Sequence, residues 1–296
     1  DAVQLDHAFW IVLGTLSVLR SSVMDTGATA IESVAGTLIG FAVASVVMVA
    51  GYAVWVFMSW GLHVLLAIPA AMVVMFLFGL VVERLLLRRM VGQPVIMVVM
   101  LTLGLEILLR GLVPGVLGSA PKSIDVGIGF APVIIGDVFI NRTSLVGGAV
   151  ALLLVGASLL FFRTRLGTKL RAVSDDHISS WAVGISVERA IGISWGLAGI
   201  AAVVAGALWG SSQGVDWTLS MLLFPAIAVV ILGGVDSIPG VIVGGLIVGI
   251  LGSVIPGYLD TIVGGSTRDV VTSLIILLTI MVRPFGIFGR EDIERI

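Results

Sequence analysis

The longest segment of this sequence without a charged residue extends from Ser33 to Val82. A helix needs about 20 apolar residues to cross the hydrocarbon core of a bilayer, so this run has room for two crossings. The rest of the chain has the same character: of its 296 residues, 58% are hydrophobic and only 11% are charged. An average soluble domain has about 25% charged residues, which it needs to cover its surface. The sequence therefore predicts an integral membrane protein.

Further uncharged stretches follow, and their length and continuity indicate helices. The strands of a membrane barrel would instead alternate in hydropathy over about 10 residues. We predict spans near residues 34–58, 62–82, 94–116, 144–162, 188–210, 221–236, 240–257 and 268–282. A weaker apolar segment at 8–24 contains Arg20 and is either a further span or a partly inserted helix. The predicted fold class is all-α, a polytopic bundle of eight or nine spans that forms a single transmembrane domain over residues 1–296.

The basic residues predict the orientation of these spans. They collect in three groups, which are Arg84, Arg88 and Arg89, then the cations between Arg163 and Arg189, then Arg283, Arg290 and Arg295. Because Lys and Arg are enriched in cytoplasmic loops, we place all three groups on the cytoplasmic side. An even number of predicted spans separates each group from the next, so the assignment is self-consistent. The loop 119–142, with Lys122, Asp125 and Asp137, then lies outside.

The remaining composition argues against several classes of function. A net charge of −2 offers no surface for nucleic acid, and the absence of cysteine excludes a disulfide, a cysteine zinc site and a thiol nucleophile. The three histidines, His7, His63 and His177, do not have the spacing of a metal motif, and no Walker A sequence is present. We therefore expect no catalytic residue, no metal site and no bound cofactor in this chain. No basic region precedes an apolar stretch at the start, so we expect no cleavable signal peptide.

The stretch from Arg163 to Arg189 is the most polar interval between two predicted spans. Within it, apolar residues recur with the spacing of one helix face: Ile178, Trp181, Ala182 and Ile185. Ser174 is predicted to cap this helix and Gly184 to end it. Asp175 and Asp176 would lie in the first turn, where the helix dipole favours them. Such a helix either docks a soluble partner or rests on the lipid interface, and its residues leave both readings open.

Two charged residues stand inside a predicted span. Glu106 and Arg110 are one helical turn apart, a spacing that permits an ion pair and lowers the cost of burying either charge. One interpretation places the pair along a translocation path. In the other, Arg110 extends toward the outer interface and Glu106 only neutralises it.

Glycines mark two more features. The segment from Leu232 to Gly245 contains Gly233, Gly234, Ser237 and Pro239, a composition that interrupts a helix. It is either a broken helix at membrane depth beside a water-filled path or a short hairpin at the cytoplasmic surface. Glycines also recur four residues apart, at Gly192 and Gly196, Gly206 and Gly210, Gly240 and Gly244, and Gly245 and Gly249. This spacing favours close packing of helices within the chain over a dimerisation face.

Several motifs together resemble the permease subunits of high-affinity branched-chain amino acid ABC importers. In chain order they are Glu83-Arg84, Thr102-Leu-Gly-Leu105, Leu166-Gly-x-x-Leu-Arg-Ala172, Val183-Gly-Ile185, Leu232-Gly-Gly-x-x-Ser-Ile-Pro-Gly240, Gly244-Gly245 and Arg283-Pro-Phe-Gly-Ile-Phe-Gly289. The resemblance covers about residues 80–296. The first part departs from the family's Asn-Phe-Ala-x-Gly-Glu run, because the nearest match, Gly40 to Ser45 before Tyr52, lacks the Asn, Gly and Glu. No substrate contacts are carried over from that region.

The resemblance implies a transport subunit rather than an enzyme. It would translocate branched-chain or similar small amino acids across a bacterial or archaeal cytoplasmic membrane, using ATP that partner subunits hydrolyse. The implied partners are a second similar permease, two cytoplasmic ATP-binding subunits and an external solute-binding protein. Segment 163–189 matches the position of the family's cytoplasmic coupling helix, which inserts into the ATP-binding subunit. The implied coupling residues are Arg171, Ala172, Asp175, Asp176, Trp181, Ala182 and Gly184.

The substrate remains open at this stage. Members of the same family move urea, short amides or other small solutes, and no residue set here selects among them. The residues that we predict for the substrate path are Glu106, Arg110, Gly233, Gly234 and Ser237. A self-contained channel or ion-coupled carrier is the alternative from another class, and it would need a membrane-embedded relay of ionisable residues. The available residues for such a relay are few, namely Glu106, Arg110, Asp216 and Arg20.

Overall fold

The computed structural model describes residues 45–90, 93, 95–127, 129, 133–135, 138–234, 237–265, 267–283 and 285–289, which are mostly helical. The α-helices are α1 (Ser45–Ser59), α2 (Val64–Leu85), α3 (Val95–Leu117), α4 (Arg142–Phe162), α5 (Arg165–Asp175), α6 (His177–Ala182), α7 (Val187–Gln213), α8 (Leu223–Gly233), α9 (Ile238–Val263) and α10 (Arg268–Val282). Two short 3-10 helices are Leu87–Met90 and Trp217–Leu222. The predicted segment 8–24 with Arg20, the first part of the span 34–58, and Arg290 and Arg295 lie outside the described residues.

Within the described part of the chain, five helical stretches are long and apolar enough to cross a membrane. They are Val64–Met90, Met100–Leu117, Arg142–Phe162, Val187–Gln213 and Pro239–Val263. Ser45–Ser59 and Trp217–Gly233 are shorter apolar helices. Most of these helices lie close to the spans predicted from hydropathy, and α10 has the predicted bounds of 268–282. The predicted end of α9 at 257 is wrong, because the helix continues through Pro256 to Val263.

The largest hydrophobic cluster joins α1, α2 and α7. Its buried side chains include Tyr52, Met75 and Val203, together with Ile124 from the loop after α3. Glycines let α2 and α7 approach closely. A Cβ atom on Gly199 would lie 2.6 Å from the carbonyl oxygen of Met75.

The predicted close packing at helical glycines is confirmed for several of them. Across the α2–α7 contact, a Cβ atom added to Gly196 would lie 2.5 Å from the Phe76 ring. At the contact between α1 and α7, a Cβ atom on Gly206 would lie 2.8 Å from the backbone nitrogen of Gly51. Gly249 differs, since a Cβ atom there would meet nothing within 4 Å. The four-residue spacing therefore marks close packing at most of these positions but not at every one.

A second cluster joins α8, α9 and α10 through Ala228, Val248, Val271 and Ile275. Helix α4 is different, because none of its residues is buried against the rest of the described chain. An apolar helix with no buried face is expected to be surrounded by lipid or by another membrane-embedded protein.

Main-chain hydrogen bonds fix which loops lie at the same end of the molecule. Lys122 and Val215 exchange two of them, at 2.9 and 2.8 Å, which joins the loop after α3 to the loop after α7. Elsewhere, Ile287 donates to the carbonyl of Leu232 at 2.8 Å, which joins the segment after α10 to the end of α8. Both contacts agree with the predicted parity of the spans, while the side of the bilayer stays a prediction.

The loop 119–142 contains an antiparallel hairpin that the all-α prediction did not include. Strands β1 (Val133–Ile135) and β2 (Val138–Ile140) pair with Val133 opposite Ile140. Their residues are β-branched or aromatic, which favours strands. Such short apolar stretches fall below the length of a membrane span, and a search for spans therefore passes over them.

Candidate functional site

The polar interval between α4 and α7 forms two helices, α5 and α6, of which α5 packs against the start of α7. The hydroxyl of Thr164 accepts a hydrogen bond of 3.2 Å from the backbone of Gly167 and caps α5. On α5, Val173 is buried and Leu170 packs beside it, against Val187 and Ala190 of α7. Helix α5 is thus held on the end of a membrane-spanning helix.

Two of the predicted coupling residues on α5, Arg171 and Ala172, are exposed and partly exposed, respectively. Arg171 is exposed, with its guanidinium 5.9 Å from the ring centroid of Phe162. Ala172 is partly buried. The Arg171 charge therefore lies at the surface of α5.

The predicted cap at Ser174 is wrong by two residues. Ser174 and Asp175 lie in the last turn of α5, and the chain becomes extended at Asp176, where φ is −157° and ψ is 114°. The Asp176 carboxylate accepts hydrogen bonds from the backbone and hydroxyl of Ser179, so it caps α6. Ser and Asp are all good capping residues, and the composition could not decide which of three consecutive positions would take the extended conformation.

The predicted end of α6 at Gly184 is confirmed. Gly184 has φ of +83° and donates to the carbonyl of Trp181 at 3.0 Å, while Ile185 donates to Ser180 at 2.9 Å. This pattern is a Schellman motif, which places a glycine in the left-handed region. The motif stops the helix sharply and turns the chain toward α7.

Helix α6 presents apolar side chains outward. Trp181 is 68% exposed and Val183 is 75% exposed, and Ala182 is exposed beside them. Ser180 faces inward and is buried. The described residues leave this surface exposed, which suits either a docked partner or the lipid interface.

The predicted ion pair in α3 is present. Nη2 of Arg110 lies 2.6 Å from Oε1 of Glu106. The Glu106 side chain is only 6% exposed and that of Arg110 is 33% exposed. Thr102, one turn earlier on the same face, is also buried. Whether this pair lines a path is untested and stays a prediction.

The other predicted path residues lie in a turn that the C-terminal segment covers. Ser237 caps α9 by accepting a hydrogen bond of 3.1 Å from Gly240. Gly234 has φ of +99°, and a Cβ atom on it would lie 2.6 Å from the backbone nitrogen of Gly289. Phe288 donates to the carbonyl of Gly233 at 3.2 Å. These contacts favour the hairpin interpretation over a broken helix beside an open path.

The burial of Glu83, which belongs to a quoted motif, is not predicted by the sequence. Glu83 is buried in the last turn of α2, with Oε1 3.6 Å from Nε of Arg88. A Cβ atom on Gly192 of α7 would lie 3.4 Å from its Cγ atom. The available signal was position, because Glu83 is the first acidic residue after the long uncharged run.

Among the residues that the structure describes, no cluster of three or more His, Asp or Glu side chains could hold a metal ion.

These observations together define a class of protein. Long apolar helices and close glycine-mediated packing indicate a multi-pass helical membrane protein. A family model described as "Branched-chain amino acid transport system / permease component" matches residues 27–282. The chain belongs to this family of transport permeases.

Individual relatives carry similar names. The chain is 34% identical over 143 residues to the "High-affinity branched-chain amino acid transport system permease protein LivH" of Escherichia coli, which is 47% of this chain and 45% of that one. The chain thus matches about half the length of this relative. It is 27% identical over 252 residues to BraD, a protein of the same description from Pseudomonas aeruginosa, covering 79% of this chain and 78% of that one. It is 28% identical over 272 residues to the "Probable branched-chain amino acid transport permease protein LivH" of Methanocaldococcus jannaschii, covering 85% and 83%.

Proposed function

We propose that this chain is a membrane-spanning permease subunit of an ABC importer. It translocates branched-chain or similar small amino acids, using ATP that partner subunits hydrolyse. Family membership and the names of the relatives support this function. The observation that carries it is the exposed surface at the end of α6, where Trp181 and the following Val183 lie in the polar interval between the apolar helices α4 and α7.

The geometry supports a coupling role for α5 and α6. Asp176 and Gly184 fix both ends of α6, so a partner would meet a rigid element. Val173 fastens α5 to α7. Because α7 packs along α2, a displacement of α6 would reach the largest helical cluster of the chain. In this proposal the surface that meets the ATP-binding subunit is formed by Arg171, Ala172, Asp175, Asp176, Trp181, Ala182 and Gly184.

The importer in this proposal has several further parts. They are a second permease, two ATP-binding subunits and an external solute-binding protein, assembled in the cytoplasmic membrane of a bacterium or archaeon. The proposed permease has eight or nine spans, of which the described residues supply five long candidates. Helix α4, with no buried residue, offers a surface that a second permease could cover.

Reconstitution tests the proposal. The tagged chain is purified from membranes together with its partners, placed in proteoliposomes, and supplied with the solute-binding protein and radiolabelled leucine. We expect uptake that depends on ATP and on the partner subunits. Leucine flux from the purified chain alone, without ATP, would instead favour a self-contained channel or carrier. Uptake of urea or a short amide in place of leucine would keep the importer and change its substrate.

A further inference from the structure

Glu106 is the central residue of α3, which runs from Val95 to Leu117. A charge at the middle of a membrane-spanning helix is costly, and such residues commonly serve function. Arg110 stands one turn closer to the end of α3. Since a helix rises about 1.5 Å per residue, Arg110 is still about 10 Å from that end.

This turn of α3 keeps hydrogen-bonding capacity that the described chain does not use. Oε1 of Glu106 and Nε of Arg110 are buried, and neither makes a hydrogen bond with a described residue, although Oε1 lies in the ion pair. Pro114 lies inside α3 four residues after Arg110 and has no N–H group. The carbonyl of Arg110 therefore lacks its usual helical donor. A carboxylate and a guanidinium are thus in contact in the middle of a candidate span, on the turn whose Arg110 carbonyl lacks that donor.

A purely structural role explains these groups poorly. Burying an ion pair contributes little to stability unless further hydrogen bonds satisfy its remaining atoms. In α3, Nε of Arg110 makes no hydrogen bond with the described chain, and the Arg110 side chain is 33% exposed. The pair is therefore reachable from outside the protomer on its Arg110 side, while Glu106 is covered.

We propose that Glu106 and Arg110 bind the charged head group of a zwitterionic α-amino acid during translocation, an inference that rests on the proposed function. The guanidinium of Arg110 receives the α-carboxylate, since it can donate parallel hydrogen bonds to one. When the Arg110 guanidinium turns to the α-carboxylate, it uncovers the carboxylate of Glu106, which then receives the α-ammonium. Between substrates, the two side chains neutralise each other, so no isolated charge remains in the membrane.

Three variants of the reconstituted complex test this assignment: Glu106→Gln, Arg110→Gln and the double variant. Removing one partner leaves an unpaired buried charge, so each single variant should lower the melting temperature of the solubilised complex. The double variant buries no charge, and we expect it to recover most of that loss. If the pair binds substrate, the double variant nevertheless takes up leucine at least tenfold more slowly than the wild type. Arg142→Gln, at the exposed start of α4, is the matched control and should leave uptake unchanged.

The outcomes distinguish a failure of this inference from a failure of the proposed function. A double variant that recovers both its melting temperature and its uptake would show a structural pair and overturn the assignment. A double variant whose ATP hydrolysis no longer responds to the loaded binding protein would also contradict it, because a substrate contact leaves that response in place. A wild-type complex that imports no α-amino acid would overturn the proposed substrate and this inference together.

Discussion

Nε of Arg268 donates a hydrogen bond of 3.1 Å to the carbonyl oxygen of Gly252. In a regular helix this carbonyl would accept from the N–H of residue 256, which here is Pro256 and has none. Arg268 thus replaces a missing bond of α9 from the start of α10. Asp260 adds a second tie, because its carboxylate accepts from the backbone and hydroxyl of Thr267 at 2.7 Å each. The connection between α9 and α10 is therefore held by side chains on both helices.

The first prediction concerns this replaced bond. Arg268→Met should lower the melting temperature of the solubilised protein, since a hydrogen bond from a charged donor contributes about 1.5–3 kcal/mol. Pro256→Ala restores a backbone N–H donor for the carbonyl of Gly252. In the Pro256→Ala background, Arg268→Met should therefore cost clearly less than in the wild type. Equal losses in both backgrounds, measured by thermal unfolding, would show that Arg268 acts in some other way.

The second prediction compares two helical glycines. Gly199→Ala should destabilise the protein, because the new Cβ atom would stand 2.6 Å from the backbone oxygen of Met75. Gly249→Ala is the matched control, since it meets nothing within 4 Å and alanine is about 1 kcal/mol more favourable than glycine in a helix. Thermal unfolding should place the two variants on opposite sides of the wild type. Similar midpoints for both would contradict the close packing of α2 on α7.

The third prediction tests the cap of α6. Asp176→Ala removes the acceptor for the Ser179 backbone, and losing such a cap costs about 0.5–2 kcal/mol. We expect the variant to insert normally and to lose most of its ATP-driven uptake. Asp176→Asn keeps an acceptor oxygen and should stay near the wild type. If asparagine and alanine reduce uptake equally, the carboxylate charge rather than the cap is what uptake requires.

The fourth prediction uses the absence of native cysteine, which allows single-cysteine labelling in an otherwise unchanged chain. The Lys122–Val215 contact requires that the two loops share one side of the membrane. Ser123→Cys and Gln213→Cys should both react with an impermeant maleimide added to intact cells. Thr168→Cys should react only after permeabilisation. Labelling of Thr168→Cys in intact cells would invert the predicted topology.

The sequence predicts where the helices of this protein lie better than it predicts which segments contact one another. Membrane spans depend on local hydropathy, so the bounds of α10 and the spacing of Glu106 and Arg110 were available from the residues alone. The cap at Asp176 was not, since three neighbouring residues had equal capping ability. The contact of residues 285–289 with the α8–α9 turn could also not be predicted, because it joins segments that are far apart along the chain. The burial of Glu83 was inaccessible for the same reason, because Gly192, which lies beside it, belongs to a helix far away in sequence.

In the proposed importer, energy enters this chain through α6 from a docked ATP-binding subunit. Site-specific cross-linking from Trp181→Cys in native membranes, with partners present, tests this docking. Ser123→Cys, in the loop joined to Val215, is the matched control. We expect an adduct between Trp181→Cys and the ATP-binding subunit and none from Ser123→Cys. If Trp181→Cys gives no such adduct while the same membranes still carry out ATP-driven uptake, α6 is not where the ATP-binding subunit docks.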